Sequence, residues 1–481
     1  MDLRLAFDRA VGDAVERTVR RHHHRRLRRL GWEHALEPPD DDGLWASGEP
    51  PPRAGNDVEV LIDGAEALPR IAAEIESARS HVHIAGWHVA PWFALTRDGT
   101  RQELRSLLEE IAERIDVRVL VWAGSPLPLF HPDRGDVGGV RHAFEHGSRI
   151  RFATDAKERP MHCHHEKLVI VDDRVAFVGG IDLTDYAGDR WDTSAHVARG
   201  AVGWHDAALR LRGPIVADVA DHFRLRWREI TGDALPAPSA PATAGDVELQ
   251  FVRTVPERIY DAVPRGDFRI LEAYTRALRS AQKLVYLENQ FYWSSEIAEI
   301  LEHKMTHPPS DEFRLVLVLP VDPNDGGDDT RGQLADLLEC DRHRGRVLAC
   351  SLTALGDLGP CPVYVHAKIG IVDDRWFTLG SANLNEHSLF NDTEVNIVTC
   401  DRALARATRI KLWAEHLERP ERDVAGDSTT IVDTLWRPIA EEQRRRRERG
   451  ERQTHRLSEL HGLSRRTRRL LGPVQGLLVD G

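Results

Sequence analysis

A chain of 481 residues exceeds the usual size of one domain, so two or three domains with ample core are expected. With 41% hydrophobic and 30% charged residues, the composition excludes a disordered or fibrous chain and fits an α/β protein. A net charge of -12 argues against a protein that coats nucleic acid, and five cysteines without CxxC spacing argue against a zinc or redox pair and for free thiols.

Taken in order, residues 1–50 read as a basic helical extension. Its stretch Arg17 to Arg29 holds seven arginines and no acid. The run reads as a solvated helix face, with docking to anionic lipid as the alternative. A signal-like apolar core is lacking here, and nowhere do about 18 apolar residues run together, so the expectation is a cytoplasmic protein, peripheral to membrane at most.

Residues 51–233 read as a first α/β half. A helix feeds a buried strand in IESARSHVHIAGWHV, ending at Val89, and VRVLVW (Val117 to Trp122) follows. The segment HHEKLVIVDDRVAFVGGIDL begins at His164, and a helix over Ile215 to Ile230 closes the half. Residues 234–246, rich in Pro and Ala, suit an extended linker. Residues 247–424 then repeat the order of elements. LRSAQKLVYLENQFY, ending at Tyr292, matches the first helix and strand at an offset of 203, and VHAKIGIVDDRWFTLGSANL, beginning at Val365, matches the His164 segment at 201. FRLVLVLP (Phe313 to Pro320) is the looser counterpart of VRVLVW. Such constancy indicates a duplicated unit. Residues 425–481 read as a second Arg-rich helical extension.

Each repeat carries His-x-Lys, four residues and an Asp: His165, Lys167 and Asp172, then His366, Lys368 and Asp373. Residues two apart on a strand share a face, so each His and Lys are expected to project together. The Asp, beyond a buried apolar run, is expected at the far end of the strand in a structural role. Paired imidazole and ammonium groups suit a phosphodiester. One neutral His attacks phosphorus, the protonated other donates to the leaving alkoxide, and the lysines stabilise the non-bridging oxygens. In the turns GGID and GSAN, Asn383 and Ser381 can donate to a phosphate oxygen, whereas an ionised Asp182 cannot. Glu394, 28 residues after His366, and Asp192, 27 after His165, are expected to bond the remote nitrogen of a catalytic imidazole.

With these motifs the sequence resembles the phospholipase D superfamily, whose HKD motif is His-x-Lys-x4-Asp in two copies, over roughly residues 55 to 420. Further strings resemble its phospholipase branch: RWD at Arg190 to Asp192, WHD at Trp204 to Asp206, LRGP at Leu211 to Pro214, and YLENQFYW from Tyr286. The resemblance implies two α/β sandwich halves, each a mixed sheet flanked by helices, related by a pseudo-twofold axis with the active site between them. It implies a phospholipid substrate cleaved or transferred through a phosphohistidine on His165, without cofactor or metal. Cardiolipin synthase-like transfer and nuclease-type cleavage are the alternatives. A monomer with no nucleic-acid partner is expected. His387 stands where many relatives carry arginine, and Trp87, His88, Asn289, Gln290, Tyr292 and Trp293 either line the pocket or pack beside it. His205 is expected to be structural.

Overall fold

The computed structural model describes residues 3–460 except 40–42, 98–100, 129, 160–161, 199–200, 239–240, 323–326, 343 and 357–358. Of the C-terminal extension, residues 461–481 lie outside the described part.

Seven strands form the first sheet: β1 (Arg53–Ile62), β2 (His81–Gly86), β3 (Asp116–Trp122), β4 (Arg151–Asp155), β5 (Leu168–Val171), β6 (Val175–Gly179) and β7 (Ala207–Arg212). Their spatial order is β4-β3-β2-β5-β6-β7-β1, with β2, β3 and β4 parallel and the remaining pairs antiparallel. The parallel edge is built from crossovers through the helices Leu104–Ala112 and Arg134–Glu145.

The second sheet uses β8 (Val247–Val255), β9 (Leu284–Glu288), β10 (Arg314–Val318), β11 (Val347–Ala354), β12 (Ile369–Val372), β13 (Trp376–Gly380) and β14 (Glu394–Thr399). Through these strands its order, β11-β10-β9-β12-β13-β14-β8, copies the first with the same parallel and antiparallel senses, and Leu457–Glu459 adds an antiparallel strand beside β11. Residues Arg53 and Asn56 of β1 pair with Leu249 and Val247 of β8, so the sheets join edge to edge into one large mixed sheet flanked by helices.

Alternation along the strands explains the layering. Leu168 and Ile170 of β5, with Ile369 and Ile371 of β12, enter one apolar core shared by both sheets. Val169 and Val171 face outward onto a layer that includes Ile71 and Ile75 of the helix Asp63–Glu76. Trp376 faces the matching outer layer of the second sheet, with Tyr274 of the helix Arg269–Ser280. Two helices fill the shared core, Ile215–Thr231 through Val219, Phe223 and Trp227, and Arg402–His416 through Leu412 and Trp413. The N-terminal helix Leu3–Leu30 (α1) lies against the second sheet's outer layer, where Leu27 is buried.

Among the described residues no helix is long and apolar enough to cross a membrane. The five cysteines are free thiols.

Candidate active site

The His-x-Lys segments sit just ahead of β5 and β12, not within them. The ladder of β5 on β2 begins at Leu168 opposite Ala85, and the preceding residues leave their own sheet to pair with the other half. The His165 N–H donates to the Thr393 carbonyl at 2.9 Å. Symmetrically, Tyr364–Val365 pairs in parallel with Trp204–His205, and the His366 N–H donates to the His205 carbonyl at 2.8 Å.

These crossings decide which carboxylate meets which ring. Thr393 precedes Glu394, whose Oε1 lies 3.0 Å from His165 Nδ1. His205 precedes Asp206, whose Oδ2 lies 2.6 Å from His366 Nδ1. Each histidine is therefore held by a carboxylate from the opposite half. Both Nδ1 atoms are engaged, which leaves Nε2 of each ring for a reaction. The ring centroids are 6.2 Å apart.

Counting from His165 does not find Asp206, and Asp192 reaches neither His165 nor His366. Asp192 is buried against His196, whose Nδ1 it meets at 3.0 Å. The reason is a longer loop in the first half. Asp206 follows His165 by 41 residues whereas Glu394 follows His366 by 28, yet Asp206 immediately precedes β7 and Glu394 opens β14. Matching the carboxylates by the strand they introduce would have found the pair.

Turn chemistry follows from the same geometry. Ser381 does not await a phosphate oxygen: its hydroxyl donates to Glu394 Oε2, and Ser388 donates to Oε1 at 2.6 Å. The counterpart of Ser381 is Gly180, where a Cβ would overlap Asp206 Oδ1. One turn thus bonds a Glu while the other makes room for an Asp. Gly179 and Gly380 are needed for close approach, since a Cβ at either would strike the carbonyl of Ala207 or Val395, the residue after each carboxylate.

Both ammonium groups are buried beside their histidines. Lys167 Nζ donates to the His165 carbonyl at 2.6 Å and pairs with Asp182 at 3.1 Å, which gives Asp182 the task of holding the lysine. Lys368 Nζ donates to the His366 carbonyl. In the second half the position of Asp182 is taken by Asn383, whose amide lies 3.4 Å from Gln290 Oε1 while its own Oδ1 has no hydrogen bond. Gln290 in turn donates to the Tyr364 hydroxyl at 2.8 Å. Asp172 and Asp373 lie at the far ends of β5 and β12. Asp172 accepts backbone N–H groups of Arg79, Ser80 and His81, and Asp373 those of Gln282, Lys283 and Leu284.

Arg190, the first residue of the RWD string, adds a cation to the site. It is buried with its guanidinium 3.2 Å above the Trp204 ring, and its Nε and Nη1 have no hydrogen-bond partner. Trp204 also packs on His366, with centroids 4.6 Å apart. Burial pushes the Arg190 guanidinium down to about 10.

The field inside is strongly perturbed. Burial, opposed chiefly by Lys167, pushes Glu394 up to about 8, and burial opposed chiefly by Lys368 pushes Asp206 up to about 6. Burial draws Lys368 down to about 7. Burial and then Lys368, Arg190 and Lys167 hold His366 well below its ordinary range, which favours the neutral ring. The arrangement is built to receive an anion.

The remaining predicted positions divide. Trp87 packs with Trp122, Cys163 and Tyr186, and His88 meets Thr184 at 3.0 Å. Asn289 accepts the backbone N–H groups of Phe291 and Leu384, which shapes the chain beside Gln290. His205 is fully buried between Asp63 and Glu288, 2.9 Å from each.

A family model described as "Cardiolipin synthase, PLD-like domain" matches residues 342–415. Phospholipase D1 of Schizosaccharomyces pombe is 24% identical over 462 residues, covering 73% of this chain and 33% of that protein. Phospholipase D alpha 1 of Cynara cardunculus is 25% identical over 546 residues, covering 76% and 67%. The chain thus spans a third to two thirds of the length of these relatives. Among solved structures, phosphatidylserine synthase of Haemophilus influenzae Rd KW20 aligns with a TM-score of 0.53 at 12% identity, over 82% of this chain and 93% of that one, a likeness of fold.

Proposed function

We propose that this chain, which belongs to the phospholipase D superfamily, is a phosphodiesterase that cleaves the phosphatidyl group of glycerophospholipids through a covalent phosphohistidine. The observation that carries the reading is the pair of imidazoles whose Nδ1 atoms are held by carboxylates exchanged between the halves.

In this reading His165 Nε2 attacks phosphorus, and the P–O bond to the headgroup breaks as His366 Nε2 donates its proton to the leaving oxygen. The negative charge of a bound phosphodiester favours protonation of His366, which burial and the neighbouring cations oppose. His366 then removes a proton from water, whose oxygen displaces His165 from phosphorus and leaves phosphatidate. In their ionised forms, which a cationic ring beside them favours, Glu394 and Asp206 stabilise the imidazolium. Lys167, Lys368, Asn383 and Arg190 face the non-bridging oxygens, where fixed donors act most strongly in a water-poor site. The repeated strand order supports two halves, 51–233 and 247–424, related by a pseudo-twofold axis between the histidines.

Contact with anionic membrane is assigned to α1. Arg17, Arg21, Arg25 and Arg29 are exposed there, whereas the C-terminal Arg444, Arg445 and Arg446 are paired with Glu448, Glu441 and Glu442.

Incubation with phosphatidylcholine vesicles, and separately with single-stranded DNA, tests the reading. Release of free headgroup is expected, and DNA cleavage without lipid turnover would overturn it. The family-model description favours transfer as a second outcome. An added alcohol acceptor captured as a new phospholipid, in preference to water, would establish it. Acid-quench trapping should place the phosphoryl label on His165; a label on His366 would reverse the two roles.

A further inference from the structure

Beside the histidine pair lies a second cluster that the mechanism does not use. His162 and His387, from opposite halves, present their Nδ1 atoms to each other at 3.0 Å. Asp392 completes a triangle, with Oδ1 3.4 Å from His162 Nδ1 and Oδ2 4.0 Å from His387 Nδ1. Asp392 is buried, its Oδ1 accepts the Cys163 backbone N–H at 2.9 Å, and its Oδ2 has no hydrogen bond. A buried carboxylate oxygen left without a donor is costly unless something cationic meets it.

We propose that His162, His387 and Asp392 form a binding site for a first-row divalent cation of the Zn2+ type, held by two imidazole nitrogens and one carboxylate. Ligand atoms about 2.0–2.1 Å from one Zn2+ stand about 2.9 Å apart at a right angle and about 3.3 Å at the tetrahedral angle. The 3.0 Å edge falls in that range, the 3.4 Å edge lies at its upper end, and the 4.0 Å from Asp392 Oδ2 to His387 Nδ1 would have to shorten on binding. His162 keeps 14% of its side chain exposed, which leaves an entry path. Imidazole with carboxylate suits Zn2+ and its first-row neighbours better than Mg2+ or Ca2+, which take oxygen ligands.

The contrast with another histidine cluster sharpens the assignment. In the group Asp63, His196, His205 and Glu415, His205 meets Asp63 and Glu288, and His196 meets Asp192 and Glu415, so every ring nitrogen already has its own carboxylate oxygen. At His162 and His387 two ring nitrogens face each other. The proposed cation would join the chain three residues before His165 to the chain two residues before Glu394.

The test titrates the chelator-treated full chain with Zn2+, reading stoichiometry by elemental analysis and affinity by calorimetry. One equivalent per chain and a raised Tm are expected for the parent. Both should be lost in His387→Gln and in His162→Gln, the latter at a partly exposed position where folding is least at risk. His196→Gln, in the other cluster, should retain the site. Co2+ in place of Zn2+ should give visible d–d absorption that His162→Gln abolishes. Failure of the parent to bind a stoichiometric equivalent would overturn the proposal, as would binding unchanged in both site variants.

Discussion

Replacing Asp206 by Asn keeps the shape of the group at His366 Nδ1 but removes the charge that stabilises an imidazolium. A loss of about 10²–10⁴-fold in kcat is expected for Asp206→Asn and for Glu394→Gln, measured by headgroup release. Asp192→Asn should leave kcat within a few-fold, because its partner is His196. His165→Ala and His366→Ala should each remove nearly all turnover, about 10⁴-fold or more, since nucleophile and acid act as one unit. Substantial turnover in either variant would refute a shared site. Arg190 belongs to the same scale. Its unpaired guanidinium nitrogens predict that Arg190→Leu lowers kcat/KM by about 10²-fold or more, whereas a merely structural arginine would change stability alone.

Strands and turns carry a different set of expectations. Asp172 and Asp373 each gather three backbone N–H groups from the start of a neighbouring strand, far from the histidines. Truncation to Ala should cost about 1–3 kcal/mol in denaturant unfolding and leave the activity of the folded fraction nearly unchanged. Gly180→Ser, which copies the second half's residue into the first, should collide with Asp206 and depress activity. This is also the scale at which the sequence was most and least legible. The duplicated strands that follow each His-x-Lys, their order and the far placement of both aspartates follow from apolar runs and motif spacing, although the His-x-Lys residues themselves lie just ahead of the strands and not on them. The partner of His366 did not, because distance along a chain is a poor guide to space once one copy carries a longer loop. Ser381 was misjudged for a related reason: a hydroxyl in a tight turn has several oxygens within reach, and only the fold reveals that Glu394 arrives first.

Across the whole molecule, the halves are also joined by a buried chain of ionisable groups. His196 lies between Asp192 and Glu415, His205 between Asp63 and Glu288, and His416 meets Glu288 at 3.0 Å. Burial opposes a charge on His196, but hydrogen bonds to Asp192 and Glu415 outweigh it and push the ring up to about 9; His205 is likewise raised. A histidine whose folded value exceeds its unfolded one, about 6.5, contributes stability fully present below pH 6.5 and lost as pH rises through 9. Glu288 and Glu415 are lowered, so their contribution is lost only in acid, outside that window. Other buried groups, Lys368 among them, titrate in the same window, so the test is a difference: from pH 6.5 to 9.5 the Tm of His196→Gln should lack the loss that His196 contributes in the parent, measured by calorimetry.

The exchange of carboxylates between the halves has one more consequence, for descent. A duplicated unit ordinarily frees one copy to drift while the other keeps the trade. Here each copy orients the other's imidazole, so a lesion in Glu394 or Asp206 disables a histidine encoded 229 or 160 residues away. Once the copies shared one chain, selection could no longer see them apart.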